Sequence, residues 1–425
     1  MASRRISRIL VVNAHSQANA GDAAIVLGQL QLLTKLFPDA RLTITSRTPG
    51  SDRPVMATWG VEVIAPVFHS PSGFRGRWRG WANSFLSLVF PRPALAFLRC
   101  LCRADLVFAC GGGYFYSNRR IPGFTFWQND IGLRLAILLR KDIVFFPQSY
   151  GPLASPLSRR RLAGLIASRR VRVVFAREAI SLSVLQGLLP SAAEKSKLQF
   201  CPDMAFYFAP APSLSPVDFS GLPRPRLALA LRDWDFPAQR SAAARQRQKR
   251  AYIEGVLSAC LELHRRHNAS FLVFSQALGP SKGEDDRRIS FLVHERLSAA
   301  IPSSHLRLFI PPLAGAPATI VDLLRQTDLL ITSRMHAAIF AFLAGRPAAV
   351  IGYQHKSAGI LESIDLGHCS LPIEEIQSGT LLRLCEEILK NREQWRERIA
   401  RTIPGLRETI EEKFRVIFSP PSVWP

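Results

Sequence analysis

Apolar residues fall along this chain in short unbroken runs. Each run ends in a polar or glycine-rich turn, and a longer stretch with helical spacing follows. The runs lack polar alternation, so they read as strands buried on both faces, the pattern of a parallel sheet. Runs at Arg8–Asn13, Arg41–Ser46, Val61–Ile64, Asp105–Cys110, Asp142–Pro147 and Arg172–Ala176 predict one sheet. Runs at Leu227–Leu231, Ser270–Ser275, Arg307–Pro311, Asp328–Thr332 and Ala348–Ile351 predict a second. Helices are expected from Gly21 to about Phe37, over Ile180–Leu189, over Arg245–His267 and over Leu381–Ile410. Strands alternating with helices define an α/β fold. The proline- and serine-rich stretch Ala209–Arg226 separates the two sets and reads as a linker. The expected domains are therefore residues 1–208 and 227–425, with Arg407–Ile417 crossing back onto the first.

Length and composition fit this division. A chain of 425 residues is too long for one core, and 48% hydrophobic with 20% charged residues describes a globular protein. No apolar run reaches the ~18–20 residues of a membrane span. Ile9–Val12 is too short for the core of an export signal. A cytoplasmic location is expected. The seven cysteines are scattered, with no CxxC pair, and read as reduced thiols. Cys110 lies beside three glycines and reads as a small buried hydrophobe. No metal-ligand cluster is visible, so no metal is expected. The net charge of +23 favours anionic partners, and its arginines are spread along the chain. An anionic inner-membrane surface is the expected peripheral partner; no nucleic acid is expected.

The chemistry concentrates between Asp328 and Lys356, DLLITSRMHAAIFAFLAGRPAAVIGYQHK. Ser333-Arg334-Met335-His336 follows one strand and opens a helix of small and apolar residues. Tyr353 and Lys356 follow the next strand. Both clusters lie beyond carboxyl ends of parallel strands, where open α/β sheets bind ligands. Helix starts also attract anions. Arg334 also fits a surface charge, and His336 a core histidine. Asp22, at the head of the first helix in Asn19-Ala-Gly21-Asp22, fits either a functional carboxylate or an N-cap. Gly111, Gly112 and Gly113 follow a strand and would offer bare backbone to a ligand. Arg177 ends a strand and would clamp a carboxylate or phosphate, or pair with Glu178. Arg232 ends the first strand of the second domain. The basic, tryptophan-bearing stretch Ser70–Arg103 reads as a surface helix docked on the sheet behind a mobile loop, and the loop fits an acceptor or a membrane contact.

SRMHAAIFAFLAGRP and GYQHK resemble the closing motif of the polysaccharide pyruvyl transferases. NAGD, GGGY, PQSYGP, AREAIS and CPDMAF resemble earlier segments of that family, in order, so the likeness spans nearly the whole chain. Met335 stands where the family has leucine. The resemblance implies two Rossmann-like parallel-sheet domains in a GT-B-like arrangement, with the acceptor on the first domain and the donor on the second. It implies transfer of a pyruvyl ketal from phosphoenolpyruvate to a sugar of a surface polysaccharide or its lipid-linked precursor. No cofactor is implied. Arg177, Arg334 and Lys356 would hold the donor, His336 would act as general acid and Asp22 as base. Gly111, Gly112, Gly113, Arg232 and Tyr353 would line the site. Two other readings fit the residues. One is a glycosyltransferase using a nucleotide sugar, with Glu362 on the ribose. The other is a non-enzymatic basic binding protein.

Overall fold

The computed structural model describes residues 6–68, 92–210, 218–281, 283–353, 359–362, 364, 366–376 and 378–418. The glycine-rich and tryptophan-bearing part of Ser70–Arg103 lies outside the described residues, as do Gln354, His355 and Lys356. The chain divides into two compact units. The first comprises Met1–Gln17, Asp22–Ala209 and Arg407–Pro425; the second comprises Ala18–Gly21 and Pro210–Leu406.

In the first unit the strands are β1 (Arg8–Ala14), β2 (Arg41–Ser46), β3 (Glu62–Ile64), β4 (Leu106–Ala109), β5 (Gly112–Ser117), β6 (Asp142–Leu153), β7 (Val171–Ala176) and β8 (Leu198–Phe200). Seven of them form a parallel path, β3-β2-β1-β4-β6-β7-β8, and β5 pairs β6 beside it. Ile9–Val12, Leu106–Ala109 and Ile143–Phe146 are buried along their whole length. Burial on both faces explains their unbroken apolar pattern.

The glycines that follow β4 are themselves partly strand: Gly112 begins β5, with φ +127 where the chain turns. β6 does not stop at Pro147, where the apolar run ends, but runs on to Leu153 and carries β5 on its second half. Gln148 and Ser149 are fully buried, so their backbone groups require ladder partners.

The last helix, Arg392–Phe418, begins in the second unit and ends in the first. Phe414 packs at 5.0 Å from both Phe146 and Phe175. Arg407 donates to the carbonyls of Phe206 and Phe208 at 3.0 and 2.9 Å.

The second unit holds β9 (Arg226–Ala230), β10 (Ser270–Phe274), β11 (Leu306–Phe309), β12 (Leu329–Thr332), β13 (Ala348–Gly352) and β14 (Ser370–Pro372). Their order is β11-β10-β9-β12-β13-β14, all parallel. This is the doubly wound Rossmann order, and it reverses between β9 and β12. The described end of the proline-rich stretch packs within this unit. Phe219 is buried, and its N–H donates to Gln326 Oε1 at 2.7 Å.

Candidate active site

At the reversal point of the second sheet, the carboxyl ends of β9 and β12 deliver Arg232 and Ser333–Arg334. The turn is held by side chains. Thr332 Oγ1 donates to Ala230 O at 2.7 Å and accepts from Arg334 N at 2.9 Å. Ser333 Oγ accepts from Arg232 N at 2.8 Å and lies 3.0 Å from Tyr252 OH. Burial pushes the Tyr252 phenol well up, so it stays a neutral hydrogen-bonding group. The helix Met335–Leu343 starts here with Arg334 as N-cap, and His336 sits in its first turn.

His336 meets the first motif of the chain. Ala18–Gly21 adds to Gln276–Leu278 as a short antiparallel pairing. Asn19 bridges Ala277, Ala20 N donates to Gln276 O at 3.2 Å, and Leu278 N donates to Ala18 O at 2.7 Å. Asn19 Oδ1 accepts from Gly21 N at 3.0 Å and from Gln276 Nε2 at 3.2 Å. This seats the Gly21 backbone on the imidazole. A Cβ at Gly21 would lie 2.6 Å from His336 Cγ and Nδ1, closer than packing allows. Gly21→Ala should therefore displace the ring. We expect a loss of ~1–3 kcal/mol of stability from overpacking and a larger proportional loss of turnover. Thermal unfolding beside an activity assay checks this. Wild-type behaviour in both would refute the contact.

Arg334 is buried and turned onto Asp286. Its Nε is 3.1 Å from Asp286 Oδ1, Nη2 bonds the same oxygen, and Nη2 reaches Glu284 O at 3.2 Å. Asp286 Oδ2 accepts from Ala277 N at 3.0 Å. Burial raises the Asp286 pKa, against the pull of Arg334 and Arg232. Arg232 stacks near Trp234 and Tyr353, at 5.3 and 5.0 Å from their ring centroids. It donates to Tyr353 OH at 2.7 Å. Its Nε is buried with no hydrogen-bond partner among the described residues. Arg334 pairs with Asp286 directly and Arg232 acts on it at longer range, while Asp233, next to Arg232, pairs with Lys249.

In the first unit, β1 delivers His15 and the helix Ala20–Leu36 delivers Asp22; Asp22 Oδ2 is 3.2 Å from His15 Nδ1. Both are about a quarter exposed, so the pair is open to solvent. Arg177 is buried in a network. It donates to Asp203 at 2.5 Å and to Ser149 Oγ at 2.8 Å, and lies 3.6 Å from Glu178. Burial alone would lower its pKa, but Asp203 and Glu178 outweigh that and hold it up. Two buried carboxylates face this one guanidinium, so the cluster offers a trianion no net positive charge. The ion pair that the sequence left open for Arg177 is thus present, with Asp203 as well as Glu178 as partners.

Gly111 packs against Gln29 and Pro147 O and has no room for a side chain. Gly113 is exposed, and a Cβ there would lie 3.7 Å from Arg177 Nη2. Cys110 is buried and its thiol is pushed up by burial, as suits a packing residue.

The second unit therefore brings together Arg232, Tyr353, Arg334, His336 and Gly21, while Asp22, Gly113 and Arg177 belong to the first. Lys356 lies outside the described residues. Sequence reasoning missed His15 and Asp286. A histidine directly after a buried strand was the signal for His15. Asp286 had none, because its role depends on a partner distant in sequence. Among the described residues no group of three His, Cys, Asp or Glu side chains could hold a metal ion.

The fold defines a two-domain α/β protein of the doubly wound class. Within that class, the chain belongs to the polysaccharide pyruvyl transferase family, whose sequence model matches residues 19–355. It is 22% identical over 417 residues to the amylovoran biosynthesis protein AmsJ of Erwinia amylovora, covering 93% of this chain and 95% of that one. Its fold is shared with the UDP-GlcNAc 2-epimerase of Neisseria meningitidis bound to UDP-GlcNAc. That match has a TM-score of 0.57 at 12% identity, over 96% of this chain and 99% of that one. Anabaena Alr3699/HepE in complex with UDP-glucose matches with a TM-score of 0.54 at 11% identity, over 96% and 99% of the two chains.

Proposed function

We propose that the protein transfers a pyruvyl group from phosphoenolpyruvate to two hydroxyls of a sugar in a surface polysaccharide or its lipid-linked precursor. Phosphate is released. The observation that carries this reading is the seating of Gly21 on His336, which joins two motifs of the family in one unit.

The donor is a small trianion and needs surplus positive charge. In this reading Arg232 and Arg334, at the carboxyl ends of β9 and β12, and Lys356, which follows β13 in sequence, hold its carboxylate and phosphate. His336 protonates the methylene carbon of the donor, which becomes the methyl group of the ketal. The adjacent carbon takes on oxocarbenium character. One sugar hydroxyl attacks that carbon, the C–O bond to phosphate breaks, and the second hydroxyl closes the ketal. Each hydroxyl gives up a proton. Asp22 accepts one and passes it to solvent, with His15 beside it to hold the carboxylate in place; the other leaves on the phosphate, and His336 regains from solvent the proton it gave up.

The test is incubation with phosphoenolpyruvate and candidate lipid-linked sugars. We expect phosphate release together with a new ketal methyl signal. UDP- and GDP-sugars form a parallel arm. Binding of those without phosphoenolpyruvate turnover would overturn the proposal in favour of a glycosyltransferase.

A further inference from the structure

The amino edge of the second sheet, opposite the crevice just described, carries a cavity of about 430 Å³ lined by Arg224, Pro225, His267, Glu386, Leu389, Lys390 and Arg392. Arg224 precedes β9 and Arg232 follows it, so the strand separates cavity and crevice by on the order of 15–20 Å. Helix polarity explains why basic residues gather here. In a doubly wound fold the carboxyl ends of the helices point to this edge, and their dipoles favour cations. The helix Ala242–His267 ends in His264, Arg265, Arg266 and His267, and the helix Ser378–Lys390 ends in Lys390.

The charges do not cancel. The buried carboxylate of Asp328 holds Arg224 and lies 3.6 Å from Arg396. Glu386 lies 3.0 Å from His267 Nε2 and 3.4 Å from Arg266 Nη1. Glu393 pairs with Arg396 at 2.8 Å and lies 3.4 Å from Arg392. Neighbouring Arg346 is pushed down, first by burial and then by Arg396. Arg266 also pairs with Glu262 at 3.0 Å, as Arg265 does at 2.9 Å, so six permanent cations (Arg224, Arg265, Arg266, Lys390, Arg392 and Arg396) stand against four carboxylates (Asp328, Glu262, Glu386 and Glu393) at and around this concave, solvent-open place. Lys390 and Arg392 are exposed at its rim.

We propose that this cavity is a second anion site, which takes a phosphate ester group apart from the donor crevice. The exposed cations at the rim suit a phosphate at the end of a larger molecule, either a free ester or the headgroup of an anionic lipid. A lipid headgroup bound here would hold the amino edge of this unit to a membrane surface with no inserted segment. Among the described residues, no helix is long and apolar enough to cross a membrane.

The experiment compares wild type with Lys390→Ala/Arg392→Ala in the full chain. A control, Arg159→Ala/Arg160→Ala, removes two exposed arginines from the first unit. Inorganic phosphate and glycerol phosphate are titrated by calorimetry. Vesicles of phosphatidylcholine, with and without phosphatidylglycerol, are tested by flotation. Binding to the phosphatidylglycerol vesicles should fall about thirty-fold in the cavity variant and hardly at all in the control. Soluble esters should weaken roughly tenfold if a free ester is the occupant. Loss in either arm supports the site and names its source. Equal loss in cavity variant and control, or no loss in either arm, overturns it. Both side chains are exposed, so unfolding midpoints should match wild type. Phosphoenolpyruvate turnover is read separately and should not change, so failure here leaves the donor reading intact.

Discussion

His336→Gln is expected to leave phosphoenolpyruvate affinity within a few-fold of wild type and to lower turnover by roughly 100- to 10,000-fold. Glutamine is close to histidine in size and keeps a polar group in the first turn of the helix. The close seat under Gly21 therefore stays filled. What it cannot do is give up a proton near neutral pH and take one back. If His336 protonates the donor methylene, binding and chemistry separate in this variant. The measurement is donor affinity by calorimetry beside single-turnover phosphate release. Near wild-type turnover, or a loss confined to affinity, would make His336 a ligand and place the acid elsewhere.

The second large effect is on stability. Arg334→Ala should destabilise the protein by roughly 3–5 kcal/mol, because it strands a buried carboxylate. Asp286 is 1% exposed, and its other oxygen holds the N–H of Ala277, the residue that bridges Asn19. Replacing both partners, as in Arg334→Met/Asp286→Asn, should recover much of the loss, since the ion pair is gone without a carboxylate left buried and the amide oxygen still accepts from Ala277 N–H.

The pH dependence has a definite sign. Burial raises the folded pKa of Asp286 above the ordinary value of 3.8. Its contribution to stability is therefore full in acid and is lost as pH rises through the folded pKa. Without Arg334 that pKa rises further. The deficit of Arg334→Ala should be smallest in mildly acid buffer and should grow toward neutrality. Denaturant midpoints across that range measure it. A deficit independent of pH would mean that Asp286 is not the group left unpaired.

Most strands were legible because burial on both faces leaves an unbroken apolar run, as in Ile9–Val12 and Ile143–Phe146. The second half of β6 was not, since Gln148 and Ser149 are buried through hydrogen bonds and look like a loop in the sequence. Gln148 donates to Tyr114 OH at 2.8 Å, and Ser149 donates to Glu178 at 2.9 Å. The site motifs were visible as polar clusters after strands. Their pairing was not. Nothing in Asn19-Ala-Gly21 announces that it lies against His336, because only the folded backbone brings the two together. Arg177 shows the opposite limit. An arginine ending a strand looks the same whether it faces a ligand or two buried carboxylates, and here the carboxylates are present.

The membership of the two units also governs how the chain can assemble during synthesis. The first unit is made first, yet it includes the end of the last helix, whose Phe414 covers Phe146 and Phe175. Until Arg407–Phe418 leaves the ribosome, those two aromatic rings lack their cover. The second unit, in turn, ends at Leu406, and its earliest piece, Ala18–Gly21, is made near the start. A ribosome that pauses late would hold a nearly complete second unit beside an unfinished first one. That reverses the usual amino-terminal-first order of multidomain folding.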